Sequence, residues 1–396
     1  MDQPLTESLT ILNAQVAFLN TRVAVIHIPL QAYPLFVHAI SQLLLRNDTS
    51  DGNGGTIEPS RPWHFWHPFV NVSITAKECS VVCPRKEADA LFVPLLACLA
   101  PALRTTVSIS DEDYSVILIG GEGLEAGQRV LDLTSPLAMA GISIFFITSY
   151  WSDFILVPLK ARPKVIHALE DRGFVFEAEA EGEAGHMTNP ASPLLHAHHR
   201  NSSSTTSFDF PPNTGTPPPA SISELQTKTF LTLKKNEISP SVDRTIELVT
   251  CAGVKDITAS LTTEKLQLGL LRCLTSQPPP RFISLTLTDA ESASVTLEKT
   301  LLPLFYNGGE DLLLGKDGPE QVPITLDLSD LPLESTGIVC GVASKLIEGM
   351  KGRIWGVFNM SYLSTAKAGH VIVYEDELDD AIDALHGTHT NGVGVH

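Results

Sequence analysis

The sequence predicts an α+β fold made of repeated strand–helix–strand–strand–helix–strand units. Two observations predict it. Short runs rich in β-branched and aromatic residues alternate with stretches in which apolar residues recur at helical spacing, and one such unit appears twice along the chain in the same element order. This order is the split βαβ, or ferredoxin-like, plan.

Composition limits the domain size and the class of partner. A chain of 396 residues with 43% hydrophobic content exceeds one compact core of ordinary size, so we expect several small domains. Lys and Arg number 27 against 45 Asp and Glu, and the net charge of -18 opposes binding to nucleic acid and to anionic membranes. We therefore exclude both as main partners.

The cysteines give no sign of a metal centre or a disulfide framework. The chain has 6 of them, and only Cys79 and Cys83 lie close together in sequence. No targeting segment and no run of about 20 apolar residues is visible. We predict a cytosolic protein without metal, cofactor or catalytic residues.

The first predicted unit takes residues 1–103 and includes an N-terminal extension. Residues 23–28 predict a strand, residues 32–45 a helix, and residues 69–75 with 79–83 a hairpin.

A second unit follows directly at residues 104–178. Its pattern again alternates β-rich runs with helical spacing. The predicted elements are a strand at 114–119, a helix at 124–140, strands at 142–148 and 154–157, and a helix at 162–172.

A polar stretch then divides the chain into halves. It contains an acidic run, a segment rich in His and Ser, and a segment rich in Pro and Thr. Such a composition buries too little apolar surface to offset the entropy of ordering the chain. We predict a disordered linker at residues 179–226 and a disordered tail at 388–396.

The pattern of the second unit recurs in the C-terminal half. Pieces at 141–146, 149–152, 154–157 and 165–169 match pieces at 354–358, 361–364, 370–373 and 381–385 in the same order. The recurrence predicts a third unit at residues 227–316 and a fourth at 317–387, so the chain holds four units in two pairs.

The stretch from Gly141 through SYWSDFILV closely resembles the second ACT domain of the CASTOR family, which are cytosolic arginine sensors. Residues 335–339 with the second copy are similar to the fourth ACT domain of that family. The resemblance implies four tandem ACT domains and a non-catalytic sensor of a free amino acid.

Two places in the sequence suit the charged ends of an amino acid. Ser335, Thr336 and Gly337 directly precede an apolar run, so Ser335 or Thr336 is the expected N-cap of a helix whose free N–H groups attract a carboxylate. Ser143 and Ile144, at the start of a predicted strand, offer backbone groups. An ordinary helix cap and a strand that merely packs are the alternatives.

The resemblance implies a ligand between the second and fourth units. The candidate ligand-binding residues are Ser143, Ile144, Pro332, Glu334, Ser335, Thr336, Gly337, Ile338, Ser361 and Tyr362. Where the family has a glutamate this chain has Ser335, with Glu334 one place earlier, and where the family has an aspartate it has residues 365–369. The ligand is therefore arginine or another amino acid.

The resemblance also implies an output. It predicts a protein partner among the GATOR-type complexes of TOR nutrient signalling, contacted through Tyr150, Trp151 and Asp153, and a homodimer. An aromatic pair followed by a charge is typical of interface hot spots. Local packing of the two rings is the alternative.

Two other functions stay open. The first is an interaction scaffold whose ACT units have lost their ligand. The second is a nucleotide-binding enzyme, suggested by the glycine run at 120–127 between a strand and a helix. Glu122 and Glu125 would repel phosphates there, and none of the common catalytic motifs is visible, so the enzyme is the weaker alternative.

Overall fold

The computed structural model describes residues 15–45, 67–120, 126–174, 176, 219, 221–254, 260–306, 311–350 and 358–386. The strands within these ranges are β1 Gln15–Pro29, β2 Val70–Ile74, β3 Glu78–Pro84, β4 Ser108–Ile109, β5 Tyr114–Gly120, β6 Phe145–Thr148, β7 Asp153–Pro158, β8 Ser241–Val242, β9 Leu248–Gly253, β10 Ile283–Leu287, β11 Ser294–Glu298, β12 Leu313–Leu314, β13 Gln321–Asp327, β14 Met360–Ser364 and β15 Ala368–Tyr374.

The helices of the same ranges are α1 Tyr33–Leu45, α2 Arg85–Glu87, α3 Val93–Cys98, α4 Pro101–Arg104, α5 Ala126–Met139, α6 Arg162–Glu170, α7 Ile222–Lys235, α8 Ser260–Leu274, α9 Ile338–Met350 and α10 Leu378–His386. A π-helical turn, Ala88–Phe92, joins α2 to α3, and short 3-10 helices occupy Leu159–Ala161, Lys299–Phe305 and Glu375–Glu377.

A strand–helix–strand–strand order occurs four times. We call these stretches the first to fourth segments: β1-α1-β2-β3, β5-α5-β6-β7, β9-α8-β10-β11 and β13-α9-β14-β15. In each segment the third strand lies antiparallel between the first and the second. This is the strand arrangement of the ferredoxin-like plan, and the predicted α+β class is confirmed.

The first strand of each segment also pairs, on the edge away from the third strand, with a strand from outside the segment, and that strand comes from one of two places in the chain. In the first and third segments it follows later in the chain, because β4 pairs with β1 and β12 pairs with β9. In the second and fourth segments it comes from earlier residues, because the beginning of β1 pairs with β5 and β8 pairs with β13. The segments therefore interleave.

Three further pairings join the segments edge to edge. β2 pairs with β10, β6 pairs with β14, and β9 touches β13, all antiparallel. Across the described residues, 15 strands belong to this single sheet, which closes on itself.

The apolar core has three parts. One lies between the first and third segments and their helices, and a second between the second and fourth segments and theirs. Because successive residues of a strand face opposite sides, the alternate residues form a third cluster inside the closed sheet, including Val116, Phe154, Leu363 and Ile372. Each fully buried side chain of this kind stabilises the fold by about 1.5–3 kcal/mol.

The predicted correspondence between the two copies is wrong at one piece. Residues 361–364, which the sequence pattern aligns with the turn at 149–152, lie in β14, and Leu363 of this strand pairs with Ile147 of β6. The true counterpart of Ser149–Ser152 is Thr365–Ala368, since both turns are closed by a first-to-fourth backbone hydrogen bond of 2.9 Å. Of the strand predicted at 354–358, residues 354–357 lie outside the described part.

The linker boundary also differs from the prediction. Ser221 caps α7 by accepting a hydrogen bond from the Glu224 N–H at 3.2 Å, so residues 222–226 are helical. Leu225, Thr229 and Leu233 form its buried face at helical spacing. Most of the predicted linker and the predicted tail lie outside the described residues.

Candidate functional site

A cavity lies between the residues that precede β6 and the beginning of α9. It encloses about 500 Å³ with its open mouth, and a smaller cavity of about 250 Å³ shares Ile144 and Ser335 with it. Five predicted ligand-binding residues line the larger cavity: Ile144, Pro332, Ser335, Ile338 and Tyr362. Gly337 lines the smaller one.

The other four predicted residues do not line either cavity. Ser361 precedes Tyr362 on the same strand, and successive strand residues face opposite sides of the sheet. Glu334 and Thr336 are exposed in the loop before α9. Ser143 is half-buried and adjoins Ile144.

The N-terminus of α9 differs from the prediction in its cap. The residue before the helix is Gly337, whose carbonyl accepts the Gly341 N–H at 2.8 Å, so neither Ser335 nor Thr336 is the N-cap. Gly337 has a φ of 80°, a conformation that side chains other than glycine disfavour. A glycine cap provides no side chain, so the first N–H groups of α9 remain available to a ligand.

Helix α7 holds this glycine in place. A Cβ at Gly337 would lie 2.6 Å from Leu225 Cδ1, and Thr229 Oγ1 donates to the Gly337 carbonyl at 3.2 Å. Sequence reasoning missed this contact because α7 was assigned in part to the linker. The Ser221 to Glu224 capping pattern was the available signal.

Tyr362 lines the cavity and carries a buried hydroxyl. Its side chain is 1% exposed, and its Oη has no hydrogen-bond partner among the described residues. Burial raises the pKa of this phenol, so it stays protonated and able to donate. A Cβ at Gly369 would overlap this hydroxyl, so the glycine makes room for it.

Hydrogen bonds fix the wall on which Tyr362 lies. The Tyr362 N–H donates to Thr148 Oγ1 at 3.0 Å, and the Phe146 N–H donates to Ser364 Oγ at 2.9 Å. These two bonds flank the pair of Ile147 with Leu363 and join the second segment to the fourth.

The turn beside the cavity is also tied to the first segment. Ala366 N–H donates to Ser80 Oγ at 3.1 Å, and Lys367 N–H donates to Glu78 Oε1 at 2.6 Å. The other Glu78 oxygen lies 2.5 Å from His27 Nδ1. This buried carboxylate was not predicted, and no local sequence signal distinguishes it from an exposed hairpin residue.

In the second segment, a charged residue occupies the position that corresponds to Gly369. Since Asp153 pairs with Thr148 as Gly369 pairs with Ser364, Asp153 is the counterpart of Gly369. Arg129 Nε lies 2.5 Å from its carboxylate, which is 1% exposed. Burial raises the pKa of Asp153, and the Arg129 charge partly offsets this effect.

Two of the three predicted partner-binding residues reach the surface. Tyr150 and Trp151 are 38% and 42% exposed, with ring centroids 4.8 Å apart. The Tyr150 N–H donates to Ser294 Oγ at 2.7 Å and Trp151 Nε1 donates to Ser292 Oγ at 3.1 Å, which anchors the turn on the third segment. Asp153 lies below them in its ion pair.

The geometry of the second segment agrees with a comparison to known families. A sequence model of the ACT domain family matches residues 109–171. These residues form an ACT domain. The match covers β5 to α6, so the ACT domain provides one wall of the larger cavity through Ile144 and Phe145.

Comparisons of whole structures give weaker likenesses. The chain is similar to aspartate kinase from Synechocystis (13% identity, TM-score 0.30, covering 96% of this chain and 57% of that one). It is also similar to protein Atu0741 from Agrobacterium tumefaciens (19%, TM-score 0.26, covering 43% and 98%). A third is the regulatory subunit of aspartate kinase from Thermus thermophilus (16%, TM-score 0.25, covering 40% and 96%).

The chain spans 57% of the length of the Synechocystis kinase. Among curated proteins, none is similar enough in sequence to count as a match.

No group of three or more His, Cys, Asp or Glu side chains among the described residues is arranged to hold a metal ion. None of the described helices has the length and apolar character needed to cross a membrane. Residues 121–125 of the glycine run lie outside the described part.

Proposed function

We propose that this chain is a non-catalytic regulatory protein that binds a free amino acid between its second and fourth segments. The observation that carries the proposal is Tyr362, which lines a cavity beside the N-terminus of α9 and whose buried hydroxyl has no hydrogen-bond partner among the described residues. ACT domains serve as amino-acid binding modules, and residues 109–171 form one wall of that cavity.

The chemistry of the site suits a zwitterion. The N–H groups of Ile338 and Val339 and the positive end of the α9 dipole favour a carboxylate. The hydroxyls of Ser335 and Ser364 and backbone carbonyls can accept from an ammonium group. Ser143, Glu334, Thr336 and Ser361 stay in the proposal as a flanking shell that surrounds the ligand without lining the cavity.

The architecture supports a wider assignment. We take all four segments as ACT-type units in two tandem pairs, as in the CASTOR-like family, because each has the same strand order and the second and fourth meet at β6 and β14. Unit boundaries near residues 103, 178, 316 and 387 belong to this proposal, and the third unit begins with α7 at Ile222.

We further propose that the chain acts as a cytosolic homodimer and binds a protein partner in TOR nutrient signalling. Tyr150 and Trp151 supply the partly exposed aromatic surface, and Asp153 supports it from below. Co-precipitation from cell extract with Tyr150→Ala or Trp151→Ala tests this part. Loss of partners by both variants, with ligand binding intact, supports it, and full retention by both rejects it.

Thermal-shift screening of the twenty amino acids tests the ligand site itself. A ligand that binds only the folded chain raises its melting temperature with increasing concentration. Tyr362→Phe should weaken this response, whereas the exposed Tyr306→Phe, the same chemical change away from the cavity, should not. If no amino acid raises the melting temperature, an interaction scaffold without ligand is the better function.

A further inference from the structure

We infer that the amino acid bound at this site carries an uncharged, apolar side chain. This inference rests on the proposed function and narrows the class of ligand that the site would bind. The inference comes from the chemistry of the cavity walls. Among the described residues that line the two cavities, none has a charged side chain.

The walls are predominantly apolar. Ten of the 14 residues that line the larger cavity are apolar, Ile144, Leu328 and Ile338 among them, and the polar side chains of the other four carry only hydroxyls. Apolar side chains bury favourably against such a surface because water is displaced from both.

The acidic groups close to the cavity are already engaged. Asp327, next to Leu328, has its carboxylate 2.8 Å from Lys77 Nζ. The buried Glu78 accepts from the Lys367 N–H and contacts His27. Neither carboxylate is left to pair with a ligand cation.

Asp330 and Glu334, the other acidic residues that adjoin lining residues, are exposed and do not line the cavity. A buried cation without a partner is strongly disfavoured. We therefore expect arginine and lysine to bind at least about 100-fold more weakly than an apolar amino acid of similar length.

The Tyr362 hydroxyl fits the same ligand class. It is a single neutral donor on an apolar wall, and together with the N-terminus of α9 it serves the carboxylate that all amino acids share. Side-chain selection is then left to the apolar lining.

The test measures binding to the full chain by calorimetry and thermal shift. Leucine, isoleucine, valine, methionine and phenylalanine are compared with arginine, lysine, aspartate and glutamate. We expect responses from the apolar set only. Equal or tighter binding of a charged amino acid would overturn the inference and leave the proposed function standing, whereas no response to any amino acid would remove both.

A charge-adding variant gives a second readout. Thr365 lines the cavity; its Oγ1 accepts from the Ala368 N–H at 3.2 Å and donates to the Ala368 carbonyl at 3.2 Å. An aspartate oxygen keeps the first bond and loses the second, so Thr365→Asp should be less stable. Where it folds, it should gain about 10-fold or more in affinity for arginine, while the exposed Thr105→Asp should not. A folded Thr365→Asp without this gain would move the ligand side chain away from this wall and overturn the inference.

Discussion

Replacing Tyr362 by Phe should raise the stability of the unliganded chain and lower its affinity for ligand. The side chain is fully buried and its hydroxyl has no partner among the described residues. A buried hydroxyl without a hydrogen bond costs about 1–3 kcal/mol, so its removal should raise the free energy of unfolding by about 1 kcal/mol. Most buried polar residues show the opposite sign, which makes the prediction specific to this environment.

The affinity should move the other way. A hydrogen bond to a charged group contributes about 1.5–3 kcal/mol, so loss of the Tyr362 donor to a ligand carboxylate should weaken binding about 10-fold or more. Urea unfolding without ligand and calorimetry with ligand measure the two effects separately. A Tyr362→Phe variant that is less stable without ligand would show that the hydroxyl is already satisfied and refute the reasoning.

Gly369 provides an independent check of the same hydroxyl. Its added Cβ would overlap Tyr362 Oη, whereas the nearest ring carbon lies at 3.3 Å. Gly369→Ala should therefore cost about 1–3 kcal/mol in the wild-type background and distinctly less in the Tyr362→Phe background. An equal cost in both backgrounds would mean that the hydroxyl does not fill this space.

Three more predictions follow from other contacts. Gly337→Val should lower stability by about 2 kcal/mol or more, because its φ is 80° and its Cβ would meet Leu225, and it should weaken ligand binding; unchanged unfolding and affinity would contradict this. Burial and the Asp376 charge raise the pKa of Glu377 to about 7, so the folded chain binds more protons than the unfolded chain between pH 4.5 and about 7. The free energy of unfolding should therefore fall as pH rises through that window. In a urea series over the same pH range, Glu377→Gln should lose less stability than the wild type. Burial lowers the pKa of His370 to about 3, so below about pH 6.5 the unfolded chain binds a proton that the folded chain does not. The free energy of unfolding should therefore fall as pH falls. His370→Gln should reduce this loss of stability at acid pH, and an unchanged loss would show that His370 does not cause it.

Local pattern was enough to predict much of the fold, and the family resemblance selected several residues that line one cavity. Apolar spacing located β5, α5 and the helix after Gly337, because these elements depend on short-range periodicity and on a loop that ends at a glycine. Ile144, Ser335 and Tyr362, which lie far apart in sequence, do meet at one cavity.

The residues that differ from expectation depend on long-range contacts. Whether Ser361 or Tyr362 faces the cavity depends on the alignment of β14 within the sheet, and a shift of one residue reverses the face. Asp153 looks like an exposed turn charge but lies beneath α5 because Arg129 reaches it. The pairing of β8 with β13 and of β1 with β5 joins residues that lie far apart in the chain, which no local pattern encodes.

The pairing between the halves has a consequence for synthesis on the ribosome. Strands β2 and β6 find their partners β10 and β14 only after about 200 further residues have been made. At about 5–20 residues per second, the N-terminal half waits roughly 10–40 s with two open strand edges. Such edges recruit other chains, so this half depends on chaperone protection until the C-terminal half arrives, and truncation after the second segment should yield aggregates.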